Sequence, residues 1–252
     1  PRLTDLYFSD CFAYESLMLC YLGVHIGSNS VPEYMDIHLG SMRDGLQLSR
    51  YRRKPLIEET TYIKQPSPIA GGPLLIDDSL VFFIGTTYEN LTKHARKSRE
   101  THYDMESNTI KGILRRDGFT SMHCNKKPIV EGGTCGYVRT KPLVTTGTQM
   151  YLNLVTSKSG MSFLIVKIEA WHCSKKHWQK VGEGKVKNNI DNTKFLVQFQ
   201  NNTRMGEIIT NTIFRVVFHF GIEVHLYSFW FSTNGKSGGY VGSGGYGLNR
   251  TR

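Results

Sequence analysis

The sequence predicts an all-β protein, and three observations support that prediction. Tyr and Phe, which favour strands, number 13 each among the 252 residues, and aromatic residues make up 12% of the chain. Short apolar segments are separated by scattered glycines, and the chain has few long runs of Ala, Leu, Glu or Lys. The third observation is an internal repeat of strand-like segments around an Arg-Asp-Gly turn.

The repeat places Arg-Asp-Gly at 43–45 and again at 116–118. The apolar segment 16–23 and a second short strand precede the first copy, whereas 79–85 and a second short strand precede the other copy. One small antiparallel sheet cannot bury both of its faces without neighbours, so a tandem repeat of this size is typical of β-propeller blades. The front half of the chain is therefore predicted to contain two blades.

Each blade-like unit is predicted to contain four strands. In the first unit the strands cover 5–14, 17–26, 36–42 and 46–51. In the second unit they cover 67–76, 80–87, 109–114 and 119–123. In both units the Asp-Gly pair closes a tight turn, because Asp and Gly tolerate the positive φ that such a turn demands.

From Gly132 onward the strand-like segments follow a different rhythm, with apolar and polar residues alternating between short turns. We predict strands at 137–144, 150–155, 163–169, 195–200, 213–220 and 224–231. Six strands in about 100 residues indicate a β-sandwich. The predicted domains are a partial β-propeller of about two blades at 1–125, a β-sandwich at 126–234 and a disordered Gly-rich tail at 235–252.

The chain carries a formal net charge of +10. Its positive residues cluster at 50–54, 93–99 and 175–176, in separate predicted loops with few aromatic residues beside them. A nucleic-acid-binding surface requires such residues on one face, interleaved with stacking aromatics, so we predict no nucleic-acid partner. Solvated loops are the first interpretation, and an anionic glycan or a membrane surface is the alternative. No apolar stretch reaches the roughly 18 residues that span a bilayer, so no membrane span is predicted.

The five cysteines include no Cys-x-x-Cys pair. Cys11 and Cys20 fall in apolar strand-like segments and are predicted to be buried thiols. A disulfide between Cys124 and Cys135 is conceivable from the sequence, which does not decide whether it forms.

A metal site is considered only around the fifth cysteine. His172 and His177 flank Cys173 at a spacing that a metal could use. Because no cysteine pair accompanies them, we predict no metal site and no cofactor.

Residues 35–45 read Met-Asp-Ile-His-Leu-Gly-Ser-Met-Arg-Asp-Gly, and this string resembles the MDIxLxxSRDG segment of relatives of glycoside hydrolase families 32 and 43. Three further segments resemble the same family in the same order, at 115–121, 133–143 and 214–231. The resemblance implies a five-bladed β-propeller followed by a β-sandwich. Because only two blade-like units are present, the expected fold is the last blades of that propeller and the sandwich.

The resemblance also implies a glycosidase-like ancestry, with sugar bound in the funnel at the propeller axis. Characterised members use two or three carboxylates, since one must protonate the leaving oxygen while another attacks or activates water. Their nucleophile or base lies on the first blade in an Asn-Asp-Pro type of motif, and neither Asn-Asp-Pro nor Arg-Asp-Pro occurs here.

Two functions are therefore expected as alternatives. The first is a glycoside-hydrolase-like, carbohydrate-active protein. It is expected to be catalytically incomplete as given, because the first blades are missing. An active glycosidase would need a longer chain that supplies the carboxylates. The second is a non-catalytic carbohydrate-binding or extracellular interaction protein on the same scaffold. The three Asn-x-Ser/Thr sequons, at Asn90, Asn201 and Asn249, agree with an extracellular or secretory location. The sugar, the stereochemical outcome and the oligomeric state are left open.

Propeller geometry places the loop between the second and third strands on the ligand-binding face. In the first unit this loop is predicted at 25–36, where Glu33 and Asp36 are the candidate catalytic acid and base. His25 at the start of the loop is a candidate substrate-binding residue. The alternative is a solvated loop charge for Glu33 and a strand-edge hydrogen bond for Asp36.

The loop between the two predicted blades lies on the same face. It supplies four further candidate substrate-binding residues, namely Glu58, Glu59, Tyr62 and Gln65. Tyr62 could stack on a sugar ring, although an aromatic residue in such a loop is as often part of the packing.

Overall fold

The computed structural model describes residues 3–14, 17–28, 31–42, 47–50, 54–58, 60, 63–68, 72–89, 105–124, 133–200 and 212–233. These residues form fourteen β-strands and no α-helix, which confirms the all-β class. The strands make four antiparallel sheets, and small sheets of this kind are compatible with a β-propeller. Among the described residues no helix is long and apolar enough to cross a membrane.

The chain divides into two compact units, the first ending at Phe119 and the second beginning at Thr120. The first unit opens with a sheet of three twelve-residue strands in the spatial order β1-β2-β3. These strands are β1 at Leu3–Tyr14, β2 at Leu17–Ser28 and β3 at Val31–Met42. Only two residues separate each consecutive pair, so the sheet is a meander of tight hairpins.

The other sheet of the first unit is built around one central strand. Its strands are β4 at Lys64–Pro68, β5 at Leu74–Ile76, β6 at Ser79–Glu89 and β7 at Met105–Arg115. β6 pairs with β7 on one side and with both β4 and β5 on the other side. The short β4 and β5 thus share one edge of β6.

The pairing registers show that the sequence repeat is also a structural repeat. Tyr14 pairs with Leu17 in the β1–β2 hairpin, and Ile76 pairs with Ser79 in the β5–β6 hairpin. The second pair is the first pair shifted by 62 residues along the chain. In the same way, Met18 of β2 pairs with Met42 of β3, and the equivalent Leu80 of β6 pairs with Leu114 of β7. Strands β1, β2 and β3 therefore correspond to β5, β6 and β7.

The two sheets of the first unit share an apolar cluster. Leu19, Tyr21 and Ile37 lie on one face of the first sheet, and they join Leu80 and Ile84 of β6 in the same cluster. Ile37 and Leu80 have no exposed surface. Complete burial of a large apolar side chain stabilises the fold by about 1.5–3 kcal/mol. This shared cluster is the main attraction between the two repeats.

The predicted fourth strand of each repeat is wrong. In the first repeat the described residues 47–50 form only an isolated bridge between Ser49 and Ser41. A second isolated bridge joins Ile57 to Ile37 just beyond Pro55, so the described residues of this edge meet β3 at single positions and form no continuous strand. In the second repeat Met122 leaves the first unit and bridges Leu226 instead.

The second Arg-Asp-Gly turn ties the two repeats together. Asp117 has a φ of 57°, which confirms that this turn needs a residue tolerant of positive φ. The Tyr14 hydroxyl donates to Asp117 Oδ1 at 2.6 Å, and the Asp117 N–H donates back to that hydroxyl oxygen at 3.2 Å. The Tyr14 ring meets Phe119 edge-on at 5.3 Å. The first Arg-Asp-Gly copy lies outside the described residues.

The second unit contains the other two sheets. One has the order β11-β10-β13-β8, with β8 at Gly136–Arg139, β10 at Leu164–His172, β11 at His177–Val186 and β13 at Phe214–Phe220. The other has the order β12-β9-β14, with β9 at Gln149–Thr156, β12 at Ile190–Leu196 and β14 at Val224–Ser232. Both sheets contribute to one core cluster, in which Leu152, Ile168 and Phe214 are completely buried.

The sequence prediction lacks β11 and most of β12, of which it includes only the last two residues. β11 and β12 are edge strands that carry many polar residues, so they lack the alternation of apolar residues that reveals an inner strand. The predicted strand at 195–200 is wrong beyond Leu196, because only an isolated bridge at Phe199 follows.

The predicted buried thiols at Cys11 and Cys20 are also wrong. These residues are opposite each other in β1 and β2, and they form a disulfide. Directly opposed strand residues are close enough for this bond, and the sequence pattern of alternation alone does not reveal the register. Cys124 and Cys135 form a second disulfide, and Cys173 is an exposed free thiol.

Replacing Tyr14 with Phe is expected to destabilise the first unit. The change removes the hydroxyl that bonds Asp117 twice, at an expected cost of about 1–3 kcal/mol in the free energy of unfolding. Urea unfolding followed by circular dichroism measures the change. The control is Tyr137→Phe, which removes the hydroxyl of a residue that is 64% exposed. Equal stability losses for the two variants would contradict the role of the Tyr14–Asp117 bonds.

Candidate functional site

The second unit contains a groove with a volume of about 650 Å³. Its lining comes from two chain segments, 143–147 and 229–233. The first segment connects β8 to β9, and the second is the end of β14 with the residue that follows.

Backbone hydrogen bonds anchor the first segment at both ends, to β13 at one end and to β14 at the other. Leu143 exchanges two backbone bonds with Phe214, of 2.7 and 3.0 Å, and the Thr148 N–H donates to the Ser232 carbonyl at 3.1 Å. Gly147 lies so close to the opposite backbone that a Cβ atom there would be 2.6 Å from the Ser232 nitrogen. Only glycine therefore fits at 147 without moving one wall of the groove.

Aromatic rings form the apolar part of the lining. Trp230 is opposite Tyr151 in the sheet, and their rings stack at 5.6 Å with an angle of 14° between planes. Phe229 and Phe231 meet edge-on at 6.1 Å, and Phe231 also meets Phe214 edge-on at 5.3 Å. These contacts fix the ring positions before any ligand binds.

Hydroxyl groups form the polar part of the lining, and they belong to Thr145, Thr146, Ser232 and Thr233. The Thr145 hydroxyl accepts from the Gly147 N–H at 3.0 Å, and the Thr233 hydroxyl donates to the Thr146 carbonyl at 3.4 Å. A hydroxyl can donate one hydrogen bond and accept two, so the internal bonds of Thr145 and Thr233 leave capacity for a ligand, whereas Ser232 is 1% exposed.

The groove lining is electrically neutral. None of the ten described lining residues has an ionisable side chain. Hydrolysis of a glycosidic bond needs two carboxyl groups, one on each side of the bond. The groove therefore has the composition of a binding site for an uncharged ligand, without a general acid or base.

The predicted loop at 25–36 does not exist in the structure. β2 continues to Ser28 and β3 begins at Val31, so a tight hairpin joins the strands. The polar residues within 25–36 suggested a loop. Strands at a sheet edge also carry polar residues, so composition alone does not separate the two structures. The register of β2 against β3 shows that the ends of this segment are paired strands.

The hairpin separates two of the predicted site residues. His25 pairs with Met35, and Asp36 pairs with Val24, so the His25 and Asp36 side chains lie on opposite faces of the sheet. The His25 ring lies 6.4 Å from the Tyr7 ring. For Glu33, the structure describes the backbone in β3 and not the side chain.

Four substrate-binding residues are predicted between the repeats. The structure describes the side chain of one of them, Glu58, and this side chain is exposed. Gln65 lies in β4 and is described by its backbone. Glu59 and Tyr62 lie outside the described residues. A role in substrate binding stays a prediction for all four residues.

Asp36 lies in a buried polar cluster with His38. Asp36 is 5% exposed and His38 is 3% exposed, and both side chains lie on the same face of β3. Burial lowers the pKa of His38, the nearby Arg50 lowers it further, and the Asp36 carboxylate opposes both effects. A catalytic role for Asp36 stays a prediction, and a sugar could reach the carboxylate only if this face opened.

A second group of polar side chains surrounds His225 on β14. Its Nδ1 atom lies 3.0 Å from the Ser121 hydroxyl, and its ring lies 4.9 Å from the His123 ring. Burial lowers the pKa of His225, and the charge of His123 lowers it further. Ser121 and His123 reach β14 because Met122 bridges the strand.

The residues around Cys173 do not form a metal centre in the described part of the chain. His172 and His177 pair across β10 and β11, and their rings stack 6.1 Å apart. No group of three His, Cys, Asp or Glu residues in the described ranges is arranged to hold a metal ion.

Sequence reasoning missed the groove. The available signal was the string Ser228-Phe-Trp-Phe-Ser232, in which an inward-facing Phe flanks Trp230 on either side, so the strand period turns the indole outward.

The fold is expected to lose stability as the pH falls from 7.5 to 5.5. The unfolded chain binds protons at ordinary histidine pKa values near 6.5, whereas His38 and His225 have lowered pKa values in the folded state. The unfolded state therefore gains protons first, so the free energy of unfolding falls as the pH falls through this range. Urea unfolding at several pH values measures this fall.

The expected result for His38→Gln is a flatter dependence of stability on pH. His177→Gln is the control, since His177 is exposed at a hairpin, and it should keep the wild-type dependence. A His38→Gln protein with an unchanged pH dependence would show that His38 does not carry its share of the effect.

Comparison with known proteins gives no match of this chain to a family model, to a curated protein or to a solved structure.

Proposed function

We propose that the protein is a non-catalytic carbohydrate-binding protein, and that it binds an uncharged sugar in the groove between segments 143–147 and 229–233. The observation that supports this most directly is the lining itself, which combines fixed aromatic rings with four hydroxyl-bearing side chains and no ionisable group.

The lining matches the chemistry of a neutral sugar. A sugar ring has an apolar face of C–H groups and an edge of hydroxyl groups. Trp230, held against Tyr151, provides an aromatic surface for the apolar face. The hydroxyls of Thr145, Thr146 and Thr233 can both donate to and accept from the sugar hydroxyls. Such a pocket, mostly apolar with a few placed polar groups, is typical of small-ligand sites.

The proposal includes the scaffold expected from the resemblance to glycoside hydrolase families 32 and 43. The repeated strand unit of residues 3–119 supports blades of a five-bladed β-propeller. The two sheets that share one core in the second unit support a C-terminal β-sandwich. A hydrolase on this scaffold is the second candidate, with Glu33 and Asp36 as its carboxylates. The burial of Asp36 and the neutral groove favour binding over hydrolysis.

The two disulfides support an extracellular or secretory location as part of the proposal. Cys11 pairs with Cys20, and Cys124 pairs with Cys135. Disulfides persist in oxidising compartments and are rare in the reducing cytosol.

Replacing Trp230 with Ala is expected to weaken binding of a neutral oligosaccharide about tenfold, which corresponds to about 1.4 kcal/mol. Isothermal titration calorimetry against a panel of neutral oligosaccharides measures the affinity. Thr146→Val is the second variant, because it removes an exposed hydroxyl at nearly constant volume and should also weaken binding.

The matched control is Tyr137→Ala, which removes an exposed aromatic ring outside the groove. This variant should bind the neutral sugar like the wild type. The proposal is wrong if no member of the panel binds the wild type, or if the three variants bind a sugar equally well. If the wild type hydrolyses neutral aryl glycosides and Asp36→Asn abolishes that activity, the result would favour the hydrolase instead.

A further inference from the structure

The outer face of the four-stranded sheet β11-β10-β13-β8 is basic and partly aromatic. The inner face points Val166, Phe214 and Phe218 into the core, so the alternate residues point outward. The described charged and aromatic residues of this outer face are Tyr137, Arg139, Lys167, Glu169, Trp171, Trp178, Lys180, Glu183, Lys185, Arg215 and His219. None of them lines the groove.

Two of the five basic side chains on this face already have acidic partners. Arg215 Nε lies 2.6 Å from Glu169 Oε2, and Lys180 Nζ lies 3.1 Å from Glu183 Oε2. Arg215 also covers the ring of Trp178 at 4.3 Å. These contacts use both carboxylates of the face.

The other three basic side chains keep their charge for a ligand. Arg139, Lys167 and Lys185 form no ion pair among the described residues of this face. Lys167 is opposite Glu183 in the sheet, and the Lys185 ammonium lies over the Phe163 ring at 4.7 Å. Arg139 and Lys167 both pair with Val217, from opposite sides, and Lys185 is opposite Ile165 on the next strand. With strands about 4.8 Å apart, this stripe of positive charge crosses about 14 Å of the sheet.

An aromatic pair lies at one end of the stripe. The Tyr137 ring lies 5.8 Å from the His219 ring, and Tyr137 is 64% exposed. Burial and the nearby Lys167 lower the pKa of His219, while Glu183 and Glu169 oppose them. Lys167 therefore lies near the aromatic pair, so a sugar ring on Tyr137 would place an acidic substituent near a cation.

We propose that this outer sheet face binds an acidic polysaccharide, such as a sulfated glycan, through Arg139, Lys167 and Lys185, with Tyr137 as a stacking surface. The partner is identified by charge complementarity, since this face has five Lys and Arg side chains against two carboxylates and the whole chain has a net charge of +10. This site is separate from the neutral groove and does not depend on it.

The described residues favour an acidic glycan over a nucleic acid. A single-stranded nucleic acid requires several open rings for successive bases, whereas this face offers one largely exposed ring, Tyr137, and Arg215 covers Trp178. The two disulfides also agree with a location outside the reducing cytosol and nucleus.

The test is elution of the full chain from immobilised heparin in a salt gradient. The double variant Arg139→Gln/Lys167→Gln should elute at lower salt than the wild type. The slope of log affinity against log salt should fall by about two, because two cations no longer displace counterions. The matched control, Lys158→Gln/Lys175→Gln, removes the same charge from two exposed loop residues and should change elution much less.

Three further measurements decide the proposal. Tyr137→Ala should weaken heparin binding, and Trp230→Ala should leave it unchanged, which is the reverse of their expected effects on the neutral sugar. Equal losses in the two double variants would overturn the proposal, since binding would then follow net charge alone. Tighter binding of a single-stranded oligothymidylate than of heparin at the same salt would overturn it in favour of a nucleic acid.

Discussion

The rest of the structure depends on one constraint, which is that each small antiparallel sheet must bury an apolar face against another sheet. A three-stranded sheet such as β1-β2-β3 has no interior of its own, so the face with Leu19 and Ile37 must meet another sheet. Leu80 and Ile84 of the second repeat supply that surface. The bonds of Tyr14 to the Asp117 turn then fix one sheet against the other, because they depend on both repeats being in place.

How much of this fold the sequence predicts depends on how strongly each strand is buried. The strands β9, β10, β13 and β14 are rich in buried apolar residues, and their positions follow from that pattern. The edge strands β11 and β12 have one free edge and a polar face, so nothing in their composition separates them from loops. The hairpin between β2 and β3 was missed for a related reason, since two-residue turns leave little sequence signal.

The sites are harder to predict than the strands, because each needs contacts between distant residues. Strand alternation turns Trp230 outward, but only the position of Gly147 beside Ser232 makes that face the wall of a groove. In the same way, alternation places Asp36 and His38 on one face, and the sequence does not indicate that this face is buried. The sequence thus singled out Asp36 as a candidate carboxylate, whereas the structure shows that its side chain is buried.

The two proposed ligands, one uncharged and one charged, would bind to different surfaces of the second unit. The groove excludes ionisable side chains, so ligand binding there depends on short-range contacts and is nearly insensitive to salt. The outer sheet face depends on Arg139, Lys167 and Lys185, whose field extends about 8–10 Å at physiological ionic strength. A net charge of +10 strengthens the second mode by raising the local concentration of polyanions, and it adds nothing to the first. Salt dependence is therefore the physical property that distinguishes the two surfaces, even for a glycan that carries both neutral and acidic sugars.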